Sequence, residues 1–258
     1  MEPKCPKNGI EMPQNRYLSE TVMLDFSTPK IQELVETRSW TTQSEYDRVG
    51  AAYEFVRNEI CFGYNESDTI PASAILSDGY GQCNTKATLL MTLLRTLDIS
   101  CRLHGFTIDK SLQRGVVPEA FYWLAPQNIL HSWVEVHLDG DWVNLEGFIL
   151  DQPVLDALKA AFPTRNSLCA YGAGTDCLQA PNVDWAGTDT YIQRTGINRD
   201  FGLFDAPDDF YRHHRQELTG FRGLLYRRVI RHWMNWRVSR MRHGKVPRIP
   251  GGEAALSH

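Results

Sequence analysis

Between Tyr46 and Ile60 the apolar residues Tyr46, Val49, Tyr53, Val56 and Ile60 recur at intervals of three and four. From Cys83 to Leu97 the residues Leu89, Leu90, Leu93, Leu94 and Leu97 do the same. Both patterns predict helices with a buried face, and the second stripe is broad enough for a central core helix. An earlier helix is predicted in "STPKIQELVETR", with Thr28 as N-cap and Pro29 at the first helical position, and Thr42 with Glu45 has the spacing of a capping box. Helical spacing gives way to strand patterning in "CRLHGFTID", and then in "HSWVEVHLDGDWVNLEGF", which predicts a hairpin turning at Asp139-Gly140. In the register such a turn sets, Trp133 faces Glu146 and His131 faces Phe148, so His131, Trp133 and Glu146 share one face.

The rest of the chain is less periodic. Residues 16–26 read as extended, 111–130 as a long loop of the kind that forms a lid or substrate wall, and 151–214 as irregular. Residues 217–243 predict a basic helix with Phe221, Leu225, Val229, Trp233 and Trp236 along one side. These boundaries divide the chain into an N-terminal strand and helix (1–41), a core (42–151), a loop-rich extension packing on it (152–215), a basic amphipathic helix (216–245) and a flexible tail (246–258).

Composition narrows the class. With 258 residues, 42% hydrophobic and 22% charged, the chain can bury a substantial core. The net charge of -4 conceals a split. Residues 1–211 carry 16 Lys+Arg against 29 Asp+Glu, whereas 212–258 carry 11 against 2. Arginines interleaved with aromatic residues over 222–243 are compatible with peripheral membrane or protein contact, or with packing on the acidic body; no recognised nucleic-acid motif accompanies them. There is no secretory h-region and no long apolar span, so a cytoplasmic location is expected. The six cysteines are too scattered for a disulfide scaffold, and no zinc-type pairs or calcium-loop pattern appear, so neither metal nor cofactor is expected.

One stretch suggests chemistry. In "GYGQCNTKATLLMTLLRTLDISCR" a cysteine, Cys83, follows two glycines at the predicted start of the core helix. A thiol at a helix N-terminus is stabilised as thiolate by the helix dipole and free N–H groups, and the backbone amide there points where an acyl-transfer oxyanion forms. Such a nucleophile needs a histidine oriented by an acid, and His131 with Glu146 diagonal to it supplies that pair.

The motifs "GYGQCNTKATLLMTLLRTLDISCRLHGF" and "HSWVEVHLDGDWVNLEGF" resemble the core of the transglutaminase-like superfamily. In that family Gly-x-Cys opens a helix, His-x-Trp opens a strand, and an acid follows a tryptophan by four residues, as Glu146 follows Trp142. The resemblance covers residues 42–151 and implies an α+β fold: a papain/transglutaminase-like core with the cysteine-bearing helix packed on an antiparallel sheet, followed here by an irregular extension and the basic helix. It implies a Cys83 nucleophile, a His131 proton carrier and Glu146 as orienting acid, although the family's acid is usually Asp and Asp141 or Asp151 are alternatives. Gln82, Tyr80, Lys86 and Trp133 are candidates for the oxyanion site or substrate contact, with Gln82 and Tyr80 suited to the oxyanion and Lys86 to an anionic substrate.

The expected function is a cysteine-dependent hydrolase or acyl transferase acting on an amide or thioester of a small or peptide-sized substrate, through a thioester on Cys83. Two alternatives stand beside it. The same triad could serve lyase or isomerase chemistry on a small metabolite, or the site could be degenerate on a scaffold that binds partners or membrane through its basic helix.

Overall fold

The computed structural model describes residues 14–216 and 220–249. Cys5 and most of the tail expected to be flexible lie outside the described residues.

Helix α1 (Pro29–Thr37) begins as the sequence suggests, with Thr28 extended and Pro29 at the first helical position. Helix α2 (Glu45–Glu54) is capped differently: Ser44 Oγ accepts the Asp47 N–H at 3.2 Å, and Thr42 belongs to a preceding 3-10 turn. Val49, Tyr53, Val56 and Ile60 are buried as its periodicity requires, but Tyr46 is exposed against Trp185. Strand β1 (Cys61–Phe62) pairs in parallel with β2 (Tyr80–Gly81), with α3 (Ala72–Asp78) between them in the chain. Helix α4 (Cys83–Thr96) follows immediately.

Next come β3 (Cys101–Asp109), the short helix α5 (Glu119–Tyr122), β4 (Asn128–Leu138) and β5 (Asp141–Leu145). Then follow α6 (Gln152–Ala161), β6 (Leu168–Ala170), β7 (Ala173–Thr175), β8 (Ile197–Phe204), α7 (Pro207–His213), α8 (Gly220–Leu225) and α9 (Arg231–Arg242). The central sheet has the order β5-β4-β3-β8 with every pairing antiparallel. Its hairpin places Val134 opposite Leu145 and His137 opposite Trp142. Asp139 and Gly140 have φ of 52° and 95°, the left-handed pair that a two-residue turn between twisted strands demands.

The cysteine-bearing α4 packs on this sheet, as expected of an α+β fold. All residues from Cys83 to Arg95 are buried, so the helix has no solvated face. Its polar side chains are therefore satisfied inside the protein: Thr88 and Thr92 hydroxyls donate to the carbonyls of Asn84 and Thr88 at 3.1 and 2.8 Å. Leu103, Val134, Val136 and Leu145 of the sheet are buried in the same apolar cluster as the α4 leucines.

Three segments depart from the sequence reading. Residues 16–26 form turns rather than a strand, because Asp208 accepts from Thr21 Oγ1 and the Met23 N–H at 2.5 and 3.2 Å and bends the chain around itself. The region read as irregular contributes β8 to the central sheet. Two register shifts against β3 and a left-handed Gly202 interrupt its alternation and hide it from periodicity. The basic segment is one helical run, but a π-turn at Tyr226–Ile230 rotates the face that follows. The side that packs is Ile230, Met234, Val238 and Met241, whereas Val229, Trp233 and Trp236 are exposed. Asn235 Oδ1 accepts the Tyr64 N–H at 2.7 Å and Arg242 pairs with Asp151 at 2.7 Å, so this run is fastened to the body.

Candidate active site

Local structure places Cys83 at a helix start. Gly79, with φ of 70°, ends α3 in the left-handed region, and Gly81 lets the chain pass close to α4: a Cβ there would lie 2.7 Å from Thr85 Oγ1. Gln82 is the extended N-cap, and its N–H donates to Thr85 Oγ1 at 3.1 Å. The first intrahelical bond runs from the Lys86 N–H to the Gln82 carbonyl at 2.8 Å. The N–H groups of Cys83 and Asn84 precede that bond and point beyond the helix. Cys83, only 8% exposed, opens onto a cavity of about 790 Å³.

His131 and Glu146 lie behind it, both fully buried, with His131 Nε2 at 2.8 Å from Glu146 Oε1. The other carboxylate oxygen, Oε2, accepts the N–H groups of Ile192 and Gln193 at 2.7 and 2.9 Å. The Glu146 backbone N–H donates in turn to the Thr190 carbonyl at 3.1 Å. With Nε2 occupied, Nδ1 is the nitrogen left for Cys83, and it has no completed hydrogen bond among the described residues. Burial by itself would lower the His131 pKa, but Cys83 and then Glu146 raise it to about 10. The rings of Phe106 and Trp133 flank the imidazole with centroids 6.2 and 6.3 Å away.

A polar bridge joins the helix to the histidine strand. Asn84 Nδ2 donates to the Leu130 carbonyl at 3.0 Å, and Asn84 Oδ1 accepts from Ser132 Oγ at 3.0 Å and faces Cys83 Sγ at 3.7 Å. Leu130 and Ser132 are the two neighbours of His131, so Asn84 ties its position to that of Cys83. The sequence reading did not single out Asn84; its signal was the run of three polar residues, "NTK", directly after Cys83.

The remaining candidates separate. Gln82 lines the cavity, with Oε1 accepting the Asn65 N–H and Nε2 donating to Asp68 Oδ1, each at 2.9 Å. Tyr80 lies outside the lining, its hydroxyl 3.4 Å from the Arg231 guanidinium. Trp133 is also outside it, donating from Nε1 to Asn144 Oδ1 at 3.0 Å. Lys86 points into the protein rather than at a substrate: Nζ donates to the carbonyls of Ile149 and Arg57 at 3.0 and 3.2 Å, and burial lowers its pKa to about 7. Asp151 caps α6 and pairs with Arg242, and Asp141 sits exposed at the start of β5, so of the three acids Glu146 is the one that meets His131.

Asp68, Tyr64 and Tyr211, also unflagged by sequence, line the cavity around the thiol. Burial pushes the Asp68 carboxyl and both phenols up. Among the described residues no group of three His, Cys, Asp or Glu side chains could hold a metal ion, and no helix is long and apolar enough to cross a membrane.

Residues 33–147 match the family described as the transglutaminase-like superfamily, and the chain carries a domain of that superfamily. The match contains Cys83, His131 and Glu146. A solved structure from Cytophaga hutchinsonii, described as a "putative cysteine protease", aligns with 76% of this chain and 48% of its own at 13% identity and a TM-score of 0.45. The chain thus spans about half the length of that protein. No curated protein matches the chain.

Proposed function

We propose that this protein is a cysteine-dependent hydrolase or acyl transferase that acts on an amide or thioester, with Cys83 as nucleophile, His131 as proton carrier and Glu146 as its positioning acid. The observation that carries this reading is the buried His131–Glu146 contact of 2.8 Å, which leaves Nδ1 free beside a thiol at the first turn of α4. The superfamily domain supports it.

In the proposed reaction the Cys83 thiolate attacks the carbonyl carbon, and the carbonyl π electrons move onto oxygen. The N–H groups at the start of α4, with the Gln82 carboxamide on the adjoining wall, are positioned to stabilise that oxyanion. Collapse breaks the bond to nitrogen or sulfur, His131 gives its proton to the leaving group, and a thioester remains on Cys83. His131, now neutral, takes a proton from water or an acceptor amine as it attacks the thioester, which releases the product and restores the pair. Glu146 holds the imidazole orientation through both halves, itself held by the amides of Ile192 and Gln193.

The test is intact-protein mass spectrometry after brief exposure to a panel of peptide amides and acyl thioesters, together with the pH dependence of Cys83 alkylation. Acyl mass on Cys83, and alkylation by iodoacetamide that is already fast near pH 6 and slowed by His131→Ala, are the expected results. An ordinary thiol titration for Cys83 would overturn the proposal. Turnover without any acyl mass in rapid-quench samples would favour lyase or isomerase chemistry instead.

A further inference from the structure

The cavity in front of Cys83 is asymmetric. One wall is apolar, made by Ile108, Leu112, Val117, Leu130, Ile230 and Met234. The charged side chains among its lining residues are Glu66, Asp68, Arg215, Arg222 and Arg227, together with His214. Asp68 is tied to Gln82 at 2.9 Å, close to the thiol. Arg215 follows α7, Arg222 lies in α8 and Arg227 in the π-turn, and all three are exposed.

Three other arginines, all on the helical run, are already engaged. Arg237 donates to the Gly115 carbonyl at 3.0 Å, Arg242 is paired with Asp151 at 2.7 Å, and Arg231 reaches the Tyr80 hydroxyl at 3.4 Å. Among the described residues the guanidinium groups of Arg215, Arg222 and Arg227 have no hydrogen bond or ion pair. Guanidinium presents a planar fork of donors suited to carboxylate or phosphate. Three such exposed groups lining a cavity that also has an apolar wall define a two-part site.

We propose that the cavity accepts an acyl donor with an apolar stem and an anionic terminus, carboxylate or phosphate, the terminus being held by Arg215, Arg222 and Arg227 while the carbonyl lies at Cys83. The volume of about 790 Å³ is large enough for such an extended ligand. This deepens the acyl-transfer reading and rests on it for the placement of the carbonyl.

The experiment uses full-length protein and iodoacetyl amides of alkyl chains of increasing length, each ending in carboxylate, phosphonate or neutral carboxamide. Alkylation of Cys83 is followed by peptide mass spectrometry, and the anionic-to-neutral rate ratio is taken within each protein, which cancels changes in thiol reactivity. At one tether length the anionic probes are expected to react about tenfold faster than the carboxamide. That ratio is expected to fall toward one in high salt and in Arg222→Gln/Arg227→Gln. A ratio of one at every length, or a raised ratio that neither salt nor the double variant changes, overturns the proposal. The preferred anion identifies carboxylate or phosphate as the terminus. The carboxamide probe separates the two readings: slow labelling with a salt-sensitive ratio removes the Cys83–His131 reading and keeps the anion site, and fast labelling with a ratio of one does the reverse.

Discussion

Glu146 joins two structures at once: Oε1 meets His131 Nε2 at 2.8 Å, while Oε2 receives the Ile192 and Gln193 amides at 2.7 and 2.9 Å. The carboxylate thus links the histidine strand to the 190–193 segment. Glu146 stands directly after the last residue of β5, Leu145, and meets the imidazole from there.

Glu146→Gln is expected to lower acyl-transfer activity by about 10²- to 10⁴-fold, because the amide supports neither the imidazolium charge nor its orientation equally well. It also leaves at most one good acceptor for the two backbone amides and the imidazole, an unsatisfied-donor cost of about 1–3 kcal/mol. Denaturant unfolding beside the alkylation assay separates the two effects. Glu146→Asp, one methylene shorter, is expected to retain the charge and recover part of the stability but less of the activity. Activity equal to wild type in Glu146→Gln would remove Glu146 from the site.

Asn84 gives a second prediction. Asn84→Ala removes the bonds to Leu130 and Ser132 that flank His131, and leaves the buried Leu130 carbonyl and Ser132 hydroxyl without those partners. A stability loss of about 1–3 kcal/mol is expected, with a roughly 10- to 100-fold slower reaction arising from misplacement of the imidazole. The diagnostic readout is the pH profile of Cys83 alkylation, which should move toward that of Cys83 in His131→Ala. A variant that is merely destabilised would keep the wild-type profile.

How far the sequence could be read depended on whether its constraints were local. Cys83 at the first turn of α4, the Asp139-Gly140 turn and the strand Cys101–Asp109 were all legible, because periodicity and turn chemistry act within a few residues. The His131–Glu146 pair followed from the hairpin register, one step further. By contrast, the polar "NTK" after Cys83 has its reason in tertiary contacts. Asn84 binds the histidine strand, Thr85 Oγ1 donates to Asn65 Oδ1 at 2.6 Å, and Lys86 meets the Arg57 and Ile149 carbonyls. Strand β8 was hidden by its register shifts, and which side of the basic helix packs was not legible: Ile230, Met234, Val238 and Met241 are buried while Val229, Trp233 and Trp236 of the predicted stripe are exposed.

The junction of the C-terminal helix with the core rests on Asp151. Its Oδ2 accepts from the Phe62 N–H and from Arg242, both at 2.7 Å, and Arg242 holds its carboxyl below the usual range against the opposing effect of burial. A carboxylate whose folded pKa is depressed contributes stability above its unfolded pKa and loses it as pH falls through the folded value. Arg242→Ala is therefore expected to destabilise by about 3 kcal/mol at neutral pH, with the difference from wild type shrinking below pH ~4. Limited proteolysis should cut within 220–242 sooner in the variant. Equal cleavage rates and equal unfolding midpoints would show that the helix is held by its apolar side alone.

Lys86 has the same sign of pH dependence as Asp151 but from a different cause, burial of an ammonium rather than pairing of a carboxylate. Burial lowers its pKa to about 7 from an ordinary 10.5, so between those values the unfolded chain binds more protons than the folded one. Stability attributable to this group therefore rises as pH increases from 7 toward 10.5, and its burial penalty is fully present below 7. Lys86→Met removes the titration and also removes the donors to Arg57 and Ile149, so its net effect at high pH is destabilising by about 1–2 kcal/mol. As pH falls toward 6 the comparison should move in favour of methionine, because wild type alone incurs the cost of a buried ammonium. Urea unfolding at pH 6, 8 and 10 measures this directly. A difference between the proteins that stays constant across that range would mean that Lys86 remains charged in the fold, with Asp151 as its compensating neighbour.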